Sequence, residues 1–199
     1  MQEYKKTDEV INAFNKVFDH LNFEQTEKDL IRVQYNSFSK KFHHLKVYKG
    51  EHCEEDMVQD KMLSNLIHEY HLSLNYIIED QLDWKYTNRK SYFFSSYTLD
   101  SHIINYDSEW LGYNGGMNEH LDGSVFTLAC SDAPGLYVGG KHFDNYENNI
   151  ILFGGDVVHG VQKKPSRRRA LNTFINAQSK ISKIKTLFGS SKSKTNYGF

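Results

Sequence analysis

The residues of this chain that could do chemistry together are two histidines and one aspartate in its second half. His120 and Asp122 lie two positions apart in NEHLDGS, and His159 follows in GGDVVHGV. Two imidazoles and one carboxylate can occupy one face of an octahedral Fe(II), which leaves the other positions open for further ligands and O2. Because side chains two apart on a strand share a face, His120 and Asp122 are expected to point into one site. The pattern therefore predicts a non-haem iron centre.

A histidine and an aspartate two positions apart are a weak signal by themselves, since His142 and Asp144 form a second copy. Between His120 and His159 there is room for about three short strands with their turns, whereas after His142 there is room for barely one. The glycines that flank the first pair also permit close approach of the backbone around a small site. We therefore expect His142 and Asp144 to be surface residues and not metal ligands.

The elements that must position these residues differ between the two halves of the chain. Apolar residues at helical spacing predict helices over TDEVINAFNKVFDHL, over EKDLIRVQYNSFSKKF and from about Glu55 to Ile78. From Ser91 the chain becomes aromatic, β-branched and alternating, which is typical of strands separated by Gly or Asn. The strand-like pieces after SYFFSSYTLDSHIINY are MNEHLDG, SVFTLACS, GLYVGGKHF, NNIILF, DVVHGVQ and RRALNTFIN. This order predicts an α+β domain, a jelly roll with N-terminal helices packed on one sheet.

The length and charge suit one domain of 199 residues with a formal net charge of −1. We expect a mainly helical support region over 1–90, a jelly-roll core over 91–178 and a flexible tail over 179–199 that is rich in lysine. The balanced charge argues against nucleic acid as a partner. No apolar run is long enough for a secretory signal or a bilayer span, and Cys53 and Cys130 have no nearby partner. We expect a cytoplasmic protein, whose oligomeric state is left open.

The segment HEYH, at His68–His71, is a second candidate metal motif. A zinc-protease helix places its histidines four positions apart, whereas here they are three apart, and no third ligand is evident. We therefore expect these histidines to lie on an exposed helix face.

Between Tyr97 and Asn176 the chain resembles the Fe(II)/2-oxoglutarate dioxygenase superfamily, and within it the prolyl-hydroxylase-like branch. The resemblance covers somewhat under half of the chain, and its order of motifs is more specific than any one motif. The motifs, in order, are His120-Leu121-Asp122, Gly139-Gly140, Phe153-Gly154-Gly155, His159-Gly160-Val161 and the arginines at 167–169.

The resemblance implies a double-stranded β-helix in which His120, Asp122 and His159 bind Fe(II). It implies 2-oxoglutarate as cosubstrate, O2 as oxidant, ascorbate as an optional addition, and hydroxylation of a C–H bond with release of succinate and CO2. A protein side chain such as proline is the leading substrate class, before a free amino acid or other small molecule. A nucleobase ranks third, supported only by the lysine-rich tail. The competing hypothesis is a non-catalytic, cupin-like module that binds a metal or ligand.

The resemblance also implies that an arginine after His159 binds the far carboxylate of 2-oxoglutarate. We prefer Arg168 over Arg169, because Ala170 on the same face would leave room for the cosubstrate. That choice turns Leu171 and Ile175 toward the helices, whereas Arg169 would turn Leu171 and Thr173 inward.

Two positions depart from the family pattern. Arg167 or Ser166 stands where the family often has Gly before the binding arginine. In the prolyl-hydroxylase branch a tyrosine ahead of the first histidine often contacts 2-oxoglutarate, and Tyr106 matches it best. Because the intervening segment is longer here, a core or rim position for Tyr106 is an open alternative.

Overall fold

A computed structural model describes residues 1–21, 30–36, 41–48, 51–54, 60–82, 96–106, 117–162 and 168–178. Three helices and twelve strands lie in these ranges. The helices are α1 (Asp8–Leu21), α2 (Lys61–Ser73) and α3 (Asn75–Leu82). The strands are β1 (Gln2–Lys5), β2 (Leu30–Asn36), β3 (Lys41–Tyr48), β4 (Glu51–Glu54), β5 (Ser96–Tyr106), β6 (Met117–His120), β7 (Phe126–Ser131), β8 (Leu136–Val138), β9 (Lys141–Phe143), β10 (Asn149–Gly154), β11 (His159–Val161) and β12 (Arg168–Gln178).

The strands form two antiparallel sheets. The large sheet has the order β1-β10-β7-β12-β5-β2-β3-β4, and the small sheet has the order β6-β11-β8-β9. From β6 to β12 the chain passes repeatedly between the sheets, because β7, β10 and β12 belong to the large one and the other strands of this stretch to the small one. The α+β class predicted from the sequence is confirmed.

Helices cover one face of the large sheet. The apolar stripe of α1 includes Val10, Phe14 and Val17, and it packs in the same cluster as Leu171 and Ile175 of β12. Both β12 residues are at most 1% exposed. The helix layer was expected to cover these two side chains, and the period of two along β12 then turns the alternate residues toward the small sheet.

The small sheet packs on the opposite face of the large one. Ile151 and Phe153 of β10 share a buried cluster with Leu136 and Val138 of β8 and with Phe143 of β9. The space between the two sheets is therefore closed by apolar side chains on the side of β10. The polar residues described below also lie between the two sheets.

The helix predicted over EKDLIRVQYNSFSKKF is wrong. Residues 30–36 form β2, which pairs with β3 and with β5, and residues 41 and 42 begin β3. The sequence of β2 alternates Ile31, Val33 and Tyr35 with polar residues, which is a strand period that also fits a helical one over a short window. Pairing with β5 decides between the two. The described part of 1–90 thus contributes strands as well as helices.

The helix predicted from about Glu55 to Ile78 is broken into two. A turn at Leu74 separates α2 from α3, and α2 begins after Asp60, whose carboxylate accepts a hydrogen bond from the Leu63 N–H at 2.8 Å. In the described ranges no helix combines the length and apolar character that crossing a bilayer would take. The predicted tail over 179–199 lies outside the described residues.

The predicted strand GLYVGGKHF is a hairpin. Gly139 and Gly140 have φ values of 56° and 79°, and they separate β8 from β9, in which Val138 pairs with Lys141. Positive φ at both central residues is the requirement of a two-residue type I′ turn, which glycine meets without strain. The Gly-Gly motif therefore has a structural explanation in this chain.

The exposed position expected for the HEYH histidines is wrong for His71. Its side chain is fully buried between α2 and the large sheet, and Nε2 lies 2.7 Å from Ser101 Oγ in a hydrogen bond. Ser101 Oγ in turn lies 3.3 Å from Thr173 Oγ1. The histidine belongs to a small polar network in the helix-covered core, and the metal motif it resembles is absent there.

Burial, with a smaller contribution from His68, lowers the pKa of His71 to about 3. Below the ordinary histidine pKa the unfolded chain binds a proton there that the folded protein does not. The free energy of unfolding should therefore fall as the pH drops from about 6.5 toward 3, by up to about 1.4 kcal/mol per pH unit from this residue. Urea unfolding of wild type and His71→Gln at a series of pH values should show a smaller acid slope in the variant.

His142→Gln, which removes an exposed imidazole, is the matched control and should keep the wild-type slope. Equal acid slopes for wild type and His71→Gln would contradict the prediction.

Candidate metal centre

The structure brings His120, Asp122 and His159 together between the two sheets. One ligand atom from each residue lies within 4.8 Å of the others. His159 Nε2 is 3.3 Å from Asp122 Oδ2, and His120 Nε2 is 3.8 Å from Asp122 Oδ1. Donors bound at about 2 Å from one ion lie roughly 3 to 4 Å apart, so these separations are compatible with one metal bound by all three residues.

The two histidines are positioned by paired strands, and the aspartate is positioned by a loop. β6 and β11 are antiparallel neighbours in which His120 pairs directly with His159, so the imidazoles point to the same side. β6 ends at His120, and Asp122 lies in the following loop, where its N–H donates to the Gly155 carbonyl at 2.9 Å. The expectation that one strand presents both His120 and Asp122 is therefore replaced by a strand end and an anchored loop.

The ring of each histidine is oriented by a hydrogen bond between its Nδ1 atom and a backbone carbonyl. Nδ1 of His120 donates to the Asn118 carbonyl at 2.8 Å, and Nδ1 of His159 donates to the Val157 carbonyl at 3.0 Å. A carbonyl oxygen can only accept, so the proton of the neutral ring stays on Nδ1. This leaves Nε2 of both rings able to bind a metal, as second-layer hydrogen bonds do in metalloproteins.

The surroundings of Asp122 favour the charged form of its carboxyl group. Burial by itself raises its pKa. When no metal is bound, a hydrogen bond from the protonated His159 ring and one from Thr127 Oγ1, at 2.6 Å, outweigh burial and hold the pKa below its ordinary value. Burial likewise acts to lower the pKa of His159, while the Asp122 carboxylate raises it above the usual value. Hydrogen bonding and charge attraction within the site together outweigh the desolvation of either group.

A pocket opens beside these residues between the sheets. Phe153 closes one side of it, with its ring centroid 4.6 Å from that of His159. The polar residues that line it are His120, Tyr146, His159, Arg168 and Asn172, and the other lining residues are Met117, Ala129, Leu136, Phe153, Val161 and Ala170.

The adjacent arginines of β12 lie on opposite faces of the large sheet. Arg168 lines the pocket and is 2% exposed, and its Nη1 and Nη2 donate to the carbonyls of Pro134 and Gln162 at 3.0 and 3.4 Å. Arg169 turns to the helix side, where its Nε lies 2.6 Å from Asp132 Oδ2. Of the two candidates, only Arg168 shares a pocket with the two histidines.

None of the other candidate positions has a described side chain in the site. His142 and Asp144 are exposed, on β9 and in the turn after it. The backbone of Tyr106 ends β5 opposite Arg168, but its side chain is outside the described part of the structure, and so is Arg167. Thr127 is a site residue that the sequence did not reveal, because only the fold brings its hydroxyl to Asp122.

Neither a protein-family model nor a curated protein sequence matches the chain. Its structure is similar to a Pseudomonas putida prolyl-4-hydroxylase, with a TM-score of 0.50 and 10% identity over 89% of this chain and 92% of that one. The chain has the fold of that hydroxylase. The similarity is one of fold, which the resemblance noted in the sequence led us to expect.

Two further solved structures are similar at lower scores. One is the dioxygenase for auxin oxidation 1 from Arabidopsis thaliana in complex with 2-oxoglutarate, with a TM-score of 0.44 and 21% identity over 61% of this chain. The match spans 55% of that enzyme, or about half its length. The other is IDO from Bacillus thuringiensis, with a TM-score of 0.45 and 10% identity over 89% of this chain and 92% of that one.

The loop that carries Asp122 depends on a glycine at 155. A Cβ on Gly155 would clash with the backbone oxygen of Ser124, whereas a Cβ on Gly123 would meet nothing within 4 Å. Gly155→Ala should therefore move the carbonyl that anchors Asp122 and weaken metal binding by about tenfold or more, as loss of a supporting contact does at other metal sites. Anaerobic Fe(II) or Mn(II) titration would measure this.

Gly123→Ala makes the same substitution one residue from Asp122 and should retain the wild-type metal affinity. Equal metal affinities of the two variants would show that the Gly155 contact does not position Asp122.

Proposed function

We propose that this chain is an Fe(II)- and 2-oxoglutarate-dependent dioxygenase that hydroxylates a C–H bond and releases succinate and CO2. The observation that carries the proposal is the presence of a buried arginine, Arg168, in the same pocket as the two histidines of a His/Asp/His cluster. A simple metal-binding module needs no such guanidinium. The alternation of strands between two antiparallel sheets supports a double-stranded β-helix as the core.

The residues of the pocket suit the parts of this reaction. His120, Asp122 and His159 would hold the iron, which with 2-oxoglutarate and O2 supplies the oxidising power for C–H cleavage. The carbonyls of Pro134 and Gln162 orient the guanidinium of Arg168, whose planar fork can bind the far carboxylate of 2-oxoglutarate in bidentate fashion. The apolar walls around Phe153 limit the access of water to the reacting groups.

A protein side chain such as proline is the substrate class we favour. Its support is the shared fold with the Pseudomonas putida prolyl-4-hydroxylase, over most of both chains. A free amino acid or another small molecule is the alternative. A cytoplasmic location and the use of ascorbate are parts of the same proposal.

Asp122→Ala should abolish consumption of 2-oxoglutarate, because it removes the only carboxylate of the described metal cluster. The assay is succinate formation from Fe(II), 2-oxoglutarate and O2, first without a prime substrate and then with a panel of proline-containing peptides, free amino acids and oligonucleotides. Asp144→Ala, in the second His-x-Asp pair, is the control and should keep full activity. Undiminished 2-oxoglutarate decarboxylation in Asp122→Ala would contradict the proposed site.

The non-catalytic, cupin-like alternative makes a different prediction for the wild-type protein. Anaerobic addition of Fe(II) and 2-oxoglutarate should give the weak visible absorption of the iron chelate if the proposal is right. A protein that binds metal but shows neither this absorption nor succinate formation under air would be a binding module.

Substitutions of Arg168 and Arg169 should have different effects. Arg168→Ala should weaken 2-oxoglutarate binding by about a hundredfold or more, since it removes a buried partner for a carboxylate. Arg169→Ala should instead lower the free energy of unfolding by about 1 to 2 kcal/mol, because Arg169 pairs with Asp132 and lies over the rings of Phe14 and Phe18. Anaerobic 2-oxoglutarate titration and urea unfolding of both variants would test this, and weaker cosubstrate binding in Arg169→Ala alone would reverse the assignment.

A further inference from the structure

Three exposed apolar residues gather at the end of the two sheets where the His/Asp/His cluster lies. Leu121, Val125 and Val158 are 57%, 42% and 45% exposed, and they are three of the seven large apolar residues that are exposed in the described ranges. Leu121 and Val158 each adjoin a histidine of the cluster in the sequence. An exposed apolar patch beside a functional site is typical of a surface that binds a partner. The reaction described above gives these residues no role.

Backbone pairing joins the two loops that carry these residues. One loop follows β6, and the other is the turn between β10 and β11. The direct pairing of the two histidines sets Leu121 opposite Val158, so their side chains are neighbours on the outer side of the small sheet. The Gly155 N–H donates to the Val125 carbonyl at 3.2 Å, which brings the third residue to the same end. The exposed apolar residues therefore lie together along one rim.

Two acidic residues add negative charge to this rim. Glu119 lies two positions before Leu121, and Asp156 lies two positions before Val158. Both acids are exposed, and neither forms an ion pair within the described part of the chain. Lys141, on the neighbouring hairpin, does not neutralise them, because its Nζ lies 2.7 Å from a glutamate of β1. We call these five residues the metal-end rim: Glu119, Leu121, Val125, Asp156 and Val158.

The chain supplies a basic and apolar segment at this same end. β12 ends at Gln178, three residues after Ile175, whose carbonyl accepts a hydrogen bond from the Val125 N–H at 2.9 Å. The residues that follow, 179–199, read SKISKIKTLFGSSKSKTNYGF and contain five lysines and no acid. An extended chain covers about 3.3 Å per residue, so a few residues beyond Gln178 can reach the rim. In the first half of the segment the lysines are interspersed with Ile181, Ile184, Leu187 and Phe188.

We propose that the segment 179–199 binds to the metal-end rim of its own chain. Its lysines contact the two acids of the rim, and its apolar residues cover the three exposed apolar ones. Because the segment is tethered beside the rim, its effective concentration there is of millimolar order, and contacts too weak to hold a separate peptide suffice. Binding of this segment does not depend on the reaction proposed above.

Zero-length cross-linking of the full-length protein with a water-soluble carbodiimide tests the contact directly. The reagent condenses a carboxylate with a lysine amine that touches it, and the carbodiimide takes up the water released as the amide forms. Mass spectrometry of the monomer should find Glu119 or Asp156 joined to a lysine of 179–199. The yield should fall as salt is added, because exposed charges are screened. Links found only in covalent dimers would show that a second copy occupies the rim and would overturn the proposal, as would the absence of such links.

Charge reversal gives a second test, read by the rate at which chymotrypsin cleaves the full-length protein after Phe188. In the double variant Glu119→Lys, Asp156→Lys this cleavage should be about three- to tenfold faster than in the wild type, the loss expected for a few exposed ion pairs. Glutamate in place of the lysines at 180, 183 and 185 should have the same effect. Combining the two sets of substitutions should restore slow cleavage, although the cleaved segment is then identical to that of the fast-cleaved lysine variant.

Matched controls lie elsewhere on the surface. Asp144→Lys reverses an exposed aspartate after β9, at the end of that strand away from the rim, and should keep the wild-type cleavage rate. Leu121→Ser should speed cleavage, whereas Met62→Ser, at a 55% exposed residue of α2, should not. Equal cleavage rates of the rim variants and their controls would overturn the proposal. So would a failure of the combined charge reversals to restore slow cleavage.

Discussion

The pairing of β6 with β11 is the constraint on which the rest of the site depends. It sets His120 opposite His159, and a slip of one residue would turn one of the imidazoles away from the other. Gly160 follows at the point where the register shifts, and a Cβ there would clash with the Tyr137 hydroxyl and the Met117 backbone oxygen. The glycine after the distal histidine is thus needed for the strands to approach closely enough to bring the two rings together.

β12 connects this site to the stability of the whole domain. On its helix-facing side, Arg169 joins Asp132 at the end of β7 to Asn15 of α1, with Nη2 3.1 Å from Asn15 Oδ1. On its other side, Arg168 and Asn172 face the pocket. Because side chains alternate along a strand, the contacts that hold the helix-facing side of β12 in place also fix the direction of its pocket-facing residues. The helix layer therefore orients the pocket residues although it does not touch them.

The direction of side chains along a strand could be predicted from the sequence, because it alternates with every residue. The positions that depend on contacts between distant segments of the chain could not. The inward direction of Arg168 with Ala170, and the helix-facing direction of Leu171, required only the alternation along one strand. The burial of His71 required knowledge that Ser101 would lie beneath α2. The position of Asp122 required the Gly155 carbonyl: the glycine is visible in the sequence, but its contact with Asp122 is a long-range one that only the fold shows.

The charges of the proposed site explain why its ligands would bind together. If a divalent metal binds to the neutral histidines and to the Asp122 carboxylate, the metal and its ligands carry one net positive charge. The buried Arg168 guanidinium adds a second positive charge between the sheets. Uncompensated charge is costly in so poorly solvated a space. A dianionic cosubstrate that touches both the metal and the guanidinium would neutralise them, and each would then favour the binding of the other. A monoanion would leave one charge uncompensated. In the proposed site, charge balance would therefore favour a diacid over a monoanion before any prime substrate binds.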